Sequence, residues 1–497
     1  MKKVITLFAI AFICMRLCAC QANPPSPVVI SKNDGSFDAN ISKAATEGIK
    51  AAENVQYSDK FTSTDGSIEF TVNIEQTLST STMPVVEVIP HKFLPEDVKR
   101  VANALFEDAV FYEREPSKNP SYSKEQIQNA IARWSKYANN TTMTELIMDR
   151  SNKLVVDHVD LLKDYIAQYT EKLEAAPVDN PHIFCDWVFK KDSHYNNLEA
   201  EIFGSSASDE LDVIYSTVET GDVEYIFTAS THDATDYKLN TVDVTLSSGV
   251  GPAEIDLMIY RAMLCRTPKP TDEQILSISK KAQNMLDMME LGDWKVTNAY
   301  VETTDFEDTA EHIVVVEAVP VFSGAAAIYG QSTPSAIAED TYTAYYPVSR
   351  VLFGFSSNGT LIYFRMQSPV DIKEVVNLNV ETLTMDTLLE TAKRNLILRD
   401  SHAGYGVPAD MVYMYEEVLN EELICEIEIR TLNYGLARIN VANSNSSYYY
   451  VPAAVFKGKA DYCGKNSGNL YISGSDYRDG DINLICINAI DGSIILQ

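Results

Sequence analysis

A strand pattern beside an Asx-Gly turn recurs along this 497-residue chain. Apolar residues fill every second position of Ile68–Ile74, and an Asx-Gly turn at Asp65 comes just before them. The same turn, followed by Ser or Thr and an aliphatic residue, begins again at Asn358 and Asp491. Strict alternation is typical of a strand with one buried face, and an Asx-Gly pair suits a type I′ turn because both central residues need positive φ. The sequence therefore predicts antiparallel sheets.

Helix starts are marked as clearly as the strands. Capping boxes, threonine caps and a proline at the first helical position each precede an apolar stripe with helical spacing. The third such stripe has a seven-residue rhythm typical of a coiled coil, but only about three heptads are regular. A helix laid along its own sheet is therefore the favoured interpretation of that stripe. The five predicted helices begin at Pro95, Ser123, Thr142, Thr271 and Thr384.

The order of these elements predicts an α+β fold, with antiparallel sheets packed by helices. Thr267-Pro-Lys-Pro270 interrupts the strand pattern and marks a predicted domain boundary. A helix followed by antiparallel strands then occurs twice, which indicates repeated helix-plus-sheet units in the C-terminal half. The predicted divisions are a signal peptide (1–19), a lipidated cysteine with a tether (20–57), an N-terminal α+β domain (58–266), a middle unit (267–370) and a C-terminal unit (371–497).

The N-terminus has the features of an export signal. Lys2 and Lys3 precede a mostly apolar run of about a dozen residues, which is too short to cross roughly 30 Å of hydrocarbon as a helix. Leu17-x-Ala-Cys20 resembles the bacterial lipobox, which implies that the Cys20 sulfur is acylated and that Cys20 becomes the first mature residue. We expect a protein anchored by lipid at the extracytoplasmic face of the cell membrane. The alternative is an ordinary signal peptide that is cut without lipid attachment.

The chain is strongly acidic, with 70 acidic against 40 basic residues and a formal net charge of -30. Such a surface repels nucleic acid and anionic lipid headgroups, so no nucleic-acid partner is expected. It attracts cations and basic peptides, although keeping an exported protein soluble is the simpler interpretation.

Cysteine spacing indicates neither a disulfide scaffold nor a zinc ribbon. The residues after Cys20 include an odd number of cysteines, far apart and without a C-x-x-C pair. One bridge, between Cys463 and Cys486, is left open by the sequence. The five cysteines are Cys185, Cys265, Cys425, Cys463 and Cys486.

Motifs for catalysis or metal binding are weak. Ser277-x-x-Lys280 matches the nucleophile motif of serine acyl-enzymes, but neither Ser-Asp-Asn nor Lys-Thr-Gly accompanies it. His182-x-x-Cys185 with His194 is the nearest approach to a metal-binding set, and the aromatic residues around it are typical of a packed strand. The sequence predicts no catalytic residue, no metal and no cofactor.

Tyrosine is abundant, with 27 residues, and three of them are consecutive at Tyr448, Tyr449 and Tyr450. A tyrosine ring is rigid and apolar and carries a hydroxyl, which favours recognition surfaces. Tyrosine is also a strand former, so packing within a sheet is the alternative. We predict that Tyr448, Tyr449 and Tyr450 lie on an exposed sheet face or edge and bind a partner.

Four stretches spread over the chain carry a family resemblance: Ser31-Lys-Asn-Asp-Gly35, Met83–Val88 with Pro90-His91, Tyr450-Val-Pro452 and Asn488–Ser493. Together they resemble a family of uncharacterised lipoproteins from Gram-positive gut bacteria, known as a domain of unknown function. More distantly, the C-terminal helix and strands are similar to PepSY-type domains and to the extracytoplasmic regulators YycH and YycI. Those families imply non-catalytic binding, in which they inhibit peptidases or restrain a membrane kinase through its outer domain.

The expected function is therefore a non-catalytic binding or regulatory module at the outer face of the membrane. The expected partner is the extracellular domain of a membrane protein or, alternatively, wall glycan or peptide. A wall-glycan or peptide hydrolase, or a carbohydrate capture protein, is the alternative function. An enzyme should show a concave pocket where titratable groups converge, whereas a regulator should show an exposed apolar sheet face or groove.

Overall fold

The computed structural model describes residues 40–43, 53–78, 83–113, 122–139, 158–178, 183–192, 211–220, 223–231, 240–247, 260–261, 264–306, 309–328, 349–399, 405, 407, 409–440, 447–474 and 481–495. Within these residues the chain forms helices and two large, mainly antiparallel sheets. The predicted α+β class is confirmed.

Strands make up most of the regular structure. In chain order they are β1 Glu53–Thr62, β2 Ile68–Leu78, β3 Val85–Pro90, β4 Phe111–Glu113, β5 Lys190–Asp192, β6 Leu211–Thr220, β7 Val223–Thr231, β8 Thr241–Leu246, β9 Trp294–Phe306, β10 Thr309–Phe322, β11 Ala325–Ala326, β12 Arg350–Phe355, β13 Leu361–Gln367, β14 Val370–Asn377, β15 Leu423–Asn440, β16 Tyr448–Gly464, β17 Leu470–Ser473 and β18 Ile482–Asn488. The helices are α1 Pro95–Leu105, α2 Lys124–Ala138, α3 His158–Ala175, α4 Asp272–Met289, α5 Met385–Ile397 and α6 Ala409–Leu419.

The strands divide between two sheets. The first has the order β1-β2-β15-β16-β3-β14, with β17 and β18 also paired to β16. The second has the order β11-β10-β12-β13-β8-β7-β6-β4, with β5 beside β6 and β9 beside β10. Neighbouring strands run antiparallel in pairs such as β15 with β16 and β9 with β10, whereas β2 and β15 run parallel.

The segment that forms the second sheet is inserted in the sequence between two groups of strands of the first sheet. Strands β1 to β3 precede residue 91 and strands β14 to β18 follow residue 369, and all of them belong to the first sheet. The chain passes between the sheets at residues 91–94 and again at residues 368–369. Strand pairing therefore crosses the boundaries of the three predicted units. In the first sheet, β3 of the N-terminal unit pairs with β14 and β16 near the C-terminus. In the second sheet, β8 of the N-terminal unit pairs with β13 of the middle unit.

The helix starts have the geometry that their sequences predict. Ser123 Oγ accepts the Gln126 N–H at 3.2 Å, and Thr271 Oγ1 accepts the Gln274 N–H at 3.3 Å. In each box the glutamine side chain accepts the N–H of the capping residue in return. Both capping boxes therefore form, and α4 packs its buried stripe against the second sheet with Ile278, Ala282, Met285, Leu286 and Met289.

Helices α2 and α3 pack against each other. The rings of Trp134 and Tyr169 meet edge to face with centroids 5.2 Å apart, within a cluster that includes Ile127 and Leu162. The apolar stripe of α3 is thus covered by α2, whereas the sequence favoured a helix laid along a sheet. The predicted start of this helix at Thr142 lies outside the described residues. In the described part of the chain, no helix is both long and apolar enough to cross a membrane.

The Asx-Gly turns differ from the type I′ prediction. Gly66, Gly359 and Gly492 have φ values of 75°, 79° and 76°, but the Asp or Asn before each glycine does not have positive φ. The Asx side chain instead accepts a backbone hydrogen bond two residues later, as Asp65 Oδ1 does from the Ser67 N–H at 3.0 Å. The type I′ prediction is therefore wrong, because only the glycine takes the left-handed conformation.

Candidate functional site

The three consecutive tyrosines begin β16, next to β3. Tyr448 is 5% exposed and Tyr450 is 1% exposed, while Tyr449 on the opposite face is half-buried. The Tyr450 ring lies 4.5 Å from the Phe322 ring of the second sheet. The prediction that Tyr448 and Tyr450 are exposed is therefore wrong, because both rings fill the contact between the sheets. A role of these tyrosines in binding stays a prediction.

Cys20 lies outside the described residues, so its lipidation stays a prediction. The described cysteines are free thiols. Cys463 on β16 pairs with Leu470, whereas Cys486 on β18 pairs with Val455, so the bridge left open by the sequence does not form. Burial raises the pKa of Cys463 to about 11 and that of Cys486 to about 12. Both are protonated near neutral pH and are poor nucleophiles.

The weak catalytic motifs do not assemble a site. Ser277 and Lys280 are both exposed on α4, away from its buried stripe. His182 and His194 lie outside the described residues. Among the described residues, no group of three or more His, Cys, Asp and Glu side chains is placed to hold a metal ion.

A shallow cavity of about 670 Å³ lies along α5. Its described lining comes from α5 and the residue after it, and includes the charged residues Asp386, Glu390, Lys393 and Arg394. The Lys393 ammonium lies 2.7 Å from Asp59 Oδ2 on β1. Because the charged groups follow one helix, they do not converge from several elements on a reacting atom.

An apolar patch is exposed at the outer edge of the second sheet. Ile183 is 61% exposed, Phe184 is 69% exposed and Val110 is 47% exposed. The Phe184 ring stacks on Tyr112 with centroids 5.8 Å apart. We call Val110, Tyr112, Ile183 and Phe184 the edge patch. Large apolar side chains exposed together at a sheet edge mark interaction sites in soluble proteins.

Among the described residues, no strand pairs with the outer side of the edge patch. The Glu113 N–H donates to the Ile183 carbonyl at 2.7 Å, and the Cys185 N–H donates to the Phe111 carbonyl at 2.9 Å. These bonds flank an antiparallel bridge between Tyr112 and Phe184. In this pattern the middle residue directs its own N–H and C=O away from the neighbouring strand. Phe184 therefore presents a backbone donor and acceptor at the outer edge of the sheet.

Aromatic packing supports the edge patch from the core side. The ring of Phe111 lies 5.0 Å from Trp187 and 5.6 Å from Phe227, and Phe106 lies 5.0 Å from Tyr225. Close packing of large rings holds β4 and its neighbour in place. A preformed edge loses little conformational freedom when a partner binds.

A separate polar cluster surrounds His91, where the chain first leaves the first sheet. His91 Nδ1 lies 2.9 Å from Asp371 Oδ1, and His91 Nε2 lies 3.3 Å from Asp97 Oδ2. A carboxylate thus lies opposite each ring nitrogen, hydrogen-bonded to Nδ1 and at ion-pair distance from Nε2. In the sequence, His91 stands out only within the family resemblance, because its partner Asp371 is 280 residues away.

Comparisons with known proteins are distant. No family model matches the chain, and no curated protein matches it. Among solved structures, the chain is similar to an uncharacterized protein from Eubacterium rectale ATCC 33656, with 10% identity and a TM-score of 0.36 over 88% of this chain and 93% of that one. It is also similar to the YpeB C-terminal domain of Bacillus megaterium, with 12% identity and a TM-score of 0.24 over 60% of this chain and 99% of that one. A shared function does not follow from likenesses at these scores.

Proposed function

We propose that the protein is a non-catalytic binding module whose edge patch captures an extended segment of a partner protein. The open edge at Phe184 carries this proposal, because exposed apolar side chains lie beside an outward-facing backbone N–H and C=O. An extended segment satisfies both features at once. Its main chain pairs with the edge, which supplies affinity, and its alternate side chains contact the apolar groups, which supplies specificity.

The partner segment is expected to be apolar at alternate positions and basic at its flanks. The chain has a net charge of -30, and this overall charge carries the expectation, because beside the edge patch Asp186 is paired with Lys190 at 3.7 Å. An acidic surface attracts basic segments and speeds their association, with a dependence on salt concentration.

Under this proposal, Cys20 anchors the protein at the outer face of the membrane, and the partner segment belongs to the extracellular domain of a membrane protein. The resemblance to PepSY-type domains and to YycH and YycI supports this setting, since those families act without catalysis on such partners. Wall glycan and wall peptide are the alternative ligands, and hydrolysis of wall glycan or peptide is the alternative function.

Site-specific photocrosslinking in the native cell tests the proposal. A benzoylphenylalanine at position 184 is compared with one at position 276, because Leu276 is also exposed, at 57%, but lies on α4 away from the edge patch. Position 184 should recurrently capture one peptide of the expected character, which mass spectrometry then sequences. The same captured peptides from both positions, or no peptide from position 184, would contradict the proposal and make wall glycans the next ligands to screen.

A synthetic copy of the captured peptide provides a quantitative check. Its affinity should fall about tenfold or more in Phe184→Asp, because a central exposed aromatic residue of an interface carries much of the binding energy. The matched variant Leu276→Asp should bind as the wild type does. Equal affinities for the two variants would show that the peptide binds elsewhere.

A further inference from the structure

The two crossings between the sheets are bonded to each other. The His91 N–H, at the first crossing, donates to the Pro369 carbonyl of the second crossing at 2.9 Å. Asn240, just before β8 of the second sheet, joins both crossings. Its side-chain amide donates to the His91 carbonyl at 2.6 Å, and its carbonyl accepts the Ser368 N–H at 2.9 Å. The insertion is therefore tied to the first sheet where both of its ends leave that sheet.

At the same place, the His91 imidazole lies between the first sheet and the helix α1 that packs on the second sheet. Asp371, on one side of the ring, belongs to β14 of the first sheet. Asp97, on the other side, belongs to α1, whose apolar face is buried in the core of the second sheet. Asp97 also accepts the Leu94 N–H at 2.8 Å and lies 2.5 Å from the Arg100 guanidinium. The imidazole thus lies between the Asp371 carboxylate of the first sheet and the Asp97 carboxylate of α1, which packs on the second sheet.

The geometry places a carboxylate opposite each ring nitrogen. Nδ1 is hydrogen-bonded to Asp371 Oδ1, whereas Nε2 faces Asp97 Oδ2 at 3.3 Å as an ion pair without a hydrogen bond. A neutral imidazole has one N–H and one lone pair, so one of its nitrogens would direct a lone pair at a carboxylate, whereas the positive charge of the imidazolium is attracted to both Asp371 and Asp97. We propose that His91 is a proton-operated clasp, which locks the inserted second sheet onto the first when its ring is charged and loosens both crossings when the ring is neutral.

The surrounding charges agree with this inference. Burial of the ring lowers its pKa, but hydrogen bonding and the negative charges of Asp371 and Asp97 outweigh burial, so the pKa of His91 is raised above the ordinary 6.5. Arg100 faces Asp97 rather than the ring, and Glu290 at the end of α4 lies 3.7 Å from Arg100. Because the folded pKa is raised, the clasp is fully formed below about pH 6.5 and is lost as the pH rises through the raised value.

Hydrogen exchange of the full-length protein tests the clasp. The amides of His91 and Ser368 are the reporters, because they donate the backbone hydrogen bonds of the two crossing segments, next to the Asn240 side chain that joins them. After correction for the intrinsic pH dependence of exchange, their protection should fall severalfold between about pH 5.5 and about pH 8.5, on either side of the ordinary histidine pKa. In His91→Gln that pH dependence should be absent. His312→Gln, which alters a histidine bonded to Thr303 within the second sheet, should retain it.

A second variant keeps the test decisive if His91→Gln does not fold. The side chain of Asp371 is 54% exposed, so Asp371→Asn should fold while removing one of the two negative charges that hold the imidazolium. The loss of protection should then occur at a lower pH than in the wild type. Protection that is independent of pH in the wild type, or an unchanged midpoint in Asp371→Asn, would overturn the proposal.

Discussion

Replacing Tyr450 by serine should weaken the protein at the contact between its two sheets. The side chain is 1% exposed, and its ring lies 4.5 Å from Phe322 within a cluster that includes Val86 and Leu436. Removing a buried aromatic side chain costs about 3–5 kcal/mol because transfer energy is lost and a cavity remains. The ring pair with Phe322 accounts for roughly 1 kcal/mol of this cost. We therefore expect the free energy of unfolding to fall by about 3–5 kcal/mol.

Urea unfolding followed by far-ultraviolet circular dichroism measures this loss. Tyr450→Phe is the matched control, since it keeps the ring and removes only the hydroxyl, which lies 3.4 Å from Ser349 Oγ. Its cost should be about 1 kcal/mol or less. Tyr449→Ser, at the half-buried neighbour, should lose less than Tyr450→Ser. An unfolding curve of Tyr450→Ser that overlays the wild-type curve would refute the reasoning from burial.

Two further predictions concern the central strands and the anchor. A Cβ atom at Gly458 would lie 2.0 Å from the Glu428 carbonyl oxygen on β15, so Gly458→Ala should separate β15 from β16 locally and lower the free energy of unfolding by about 1–3 kcal/mol or more; an unchanged urea midpoint would contradict this. Cys20→Ala should release the protein from the membrane fraction into the medium, as followed by immunoblot of cell fractions, whereas a full retention in the membrane fraction would rule out the lipid anchor.

Local structure was predictable from the sequence because local chemistry determines it. The box beginning at Thr271 fixes the start of α4 through two hydrogen bonds between residues three apart. The alternation in Ile68–Ile74 gives β2 one buried face, as its burial shows. These signals need no knowledge of where the rest of the chain lies.

Strand partners were not predictable in the same way. Alternation specifies which face of a strand is buried but not which strand lies beside it. Sequence order alone therefore predicts consecutive units, whereas β3 pairs with strands from the far end of the chain. The ion pair of His91 with Asp371 depends on that pairing, so its 280-residue separation hid it.

The predicted surface at Tyr448 and Tyr450 is buried and the predicted packed strand at Phe184 is exposed, for a physical reason. Tyr448 begins a nearly continuous apolar run that continues to Phe456, which is typical of a strand buried on both faces. The three tyrosines at its start also suit recognition, which is why the sequence predicts a surface there. Phe184 is one of the aromatic residues around Cys185 that are typical of a packed strand. Trp187 does pack against the core, but Phe184 faces solvent, and alternation over so short a segment could not separate the two.

The most direct test of the binding proposal is hydrogen exchange at the Phe184 amide, with and without the captured peptide. In the free protein, this N–H should exchange rapidly because it faces the open edge, while the Glu113 and Cys185 amides, which donate across the neighbouring bridge, should be protected. When the peptide binds, the Phe184 amide should become protected as the new strand pairs with it. A Phe184 amide that is already protected in the free protein, or one that stays unprotected in the complex, would contradict capture at this edge.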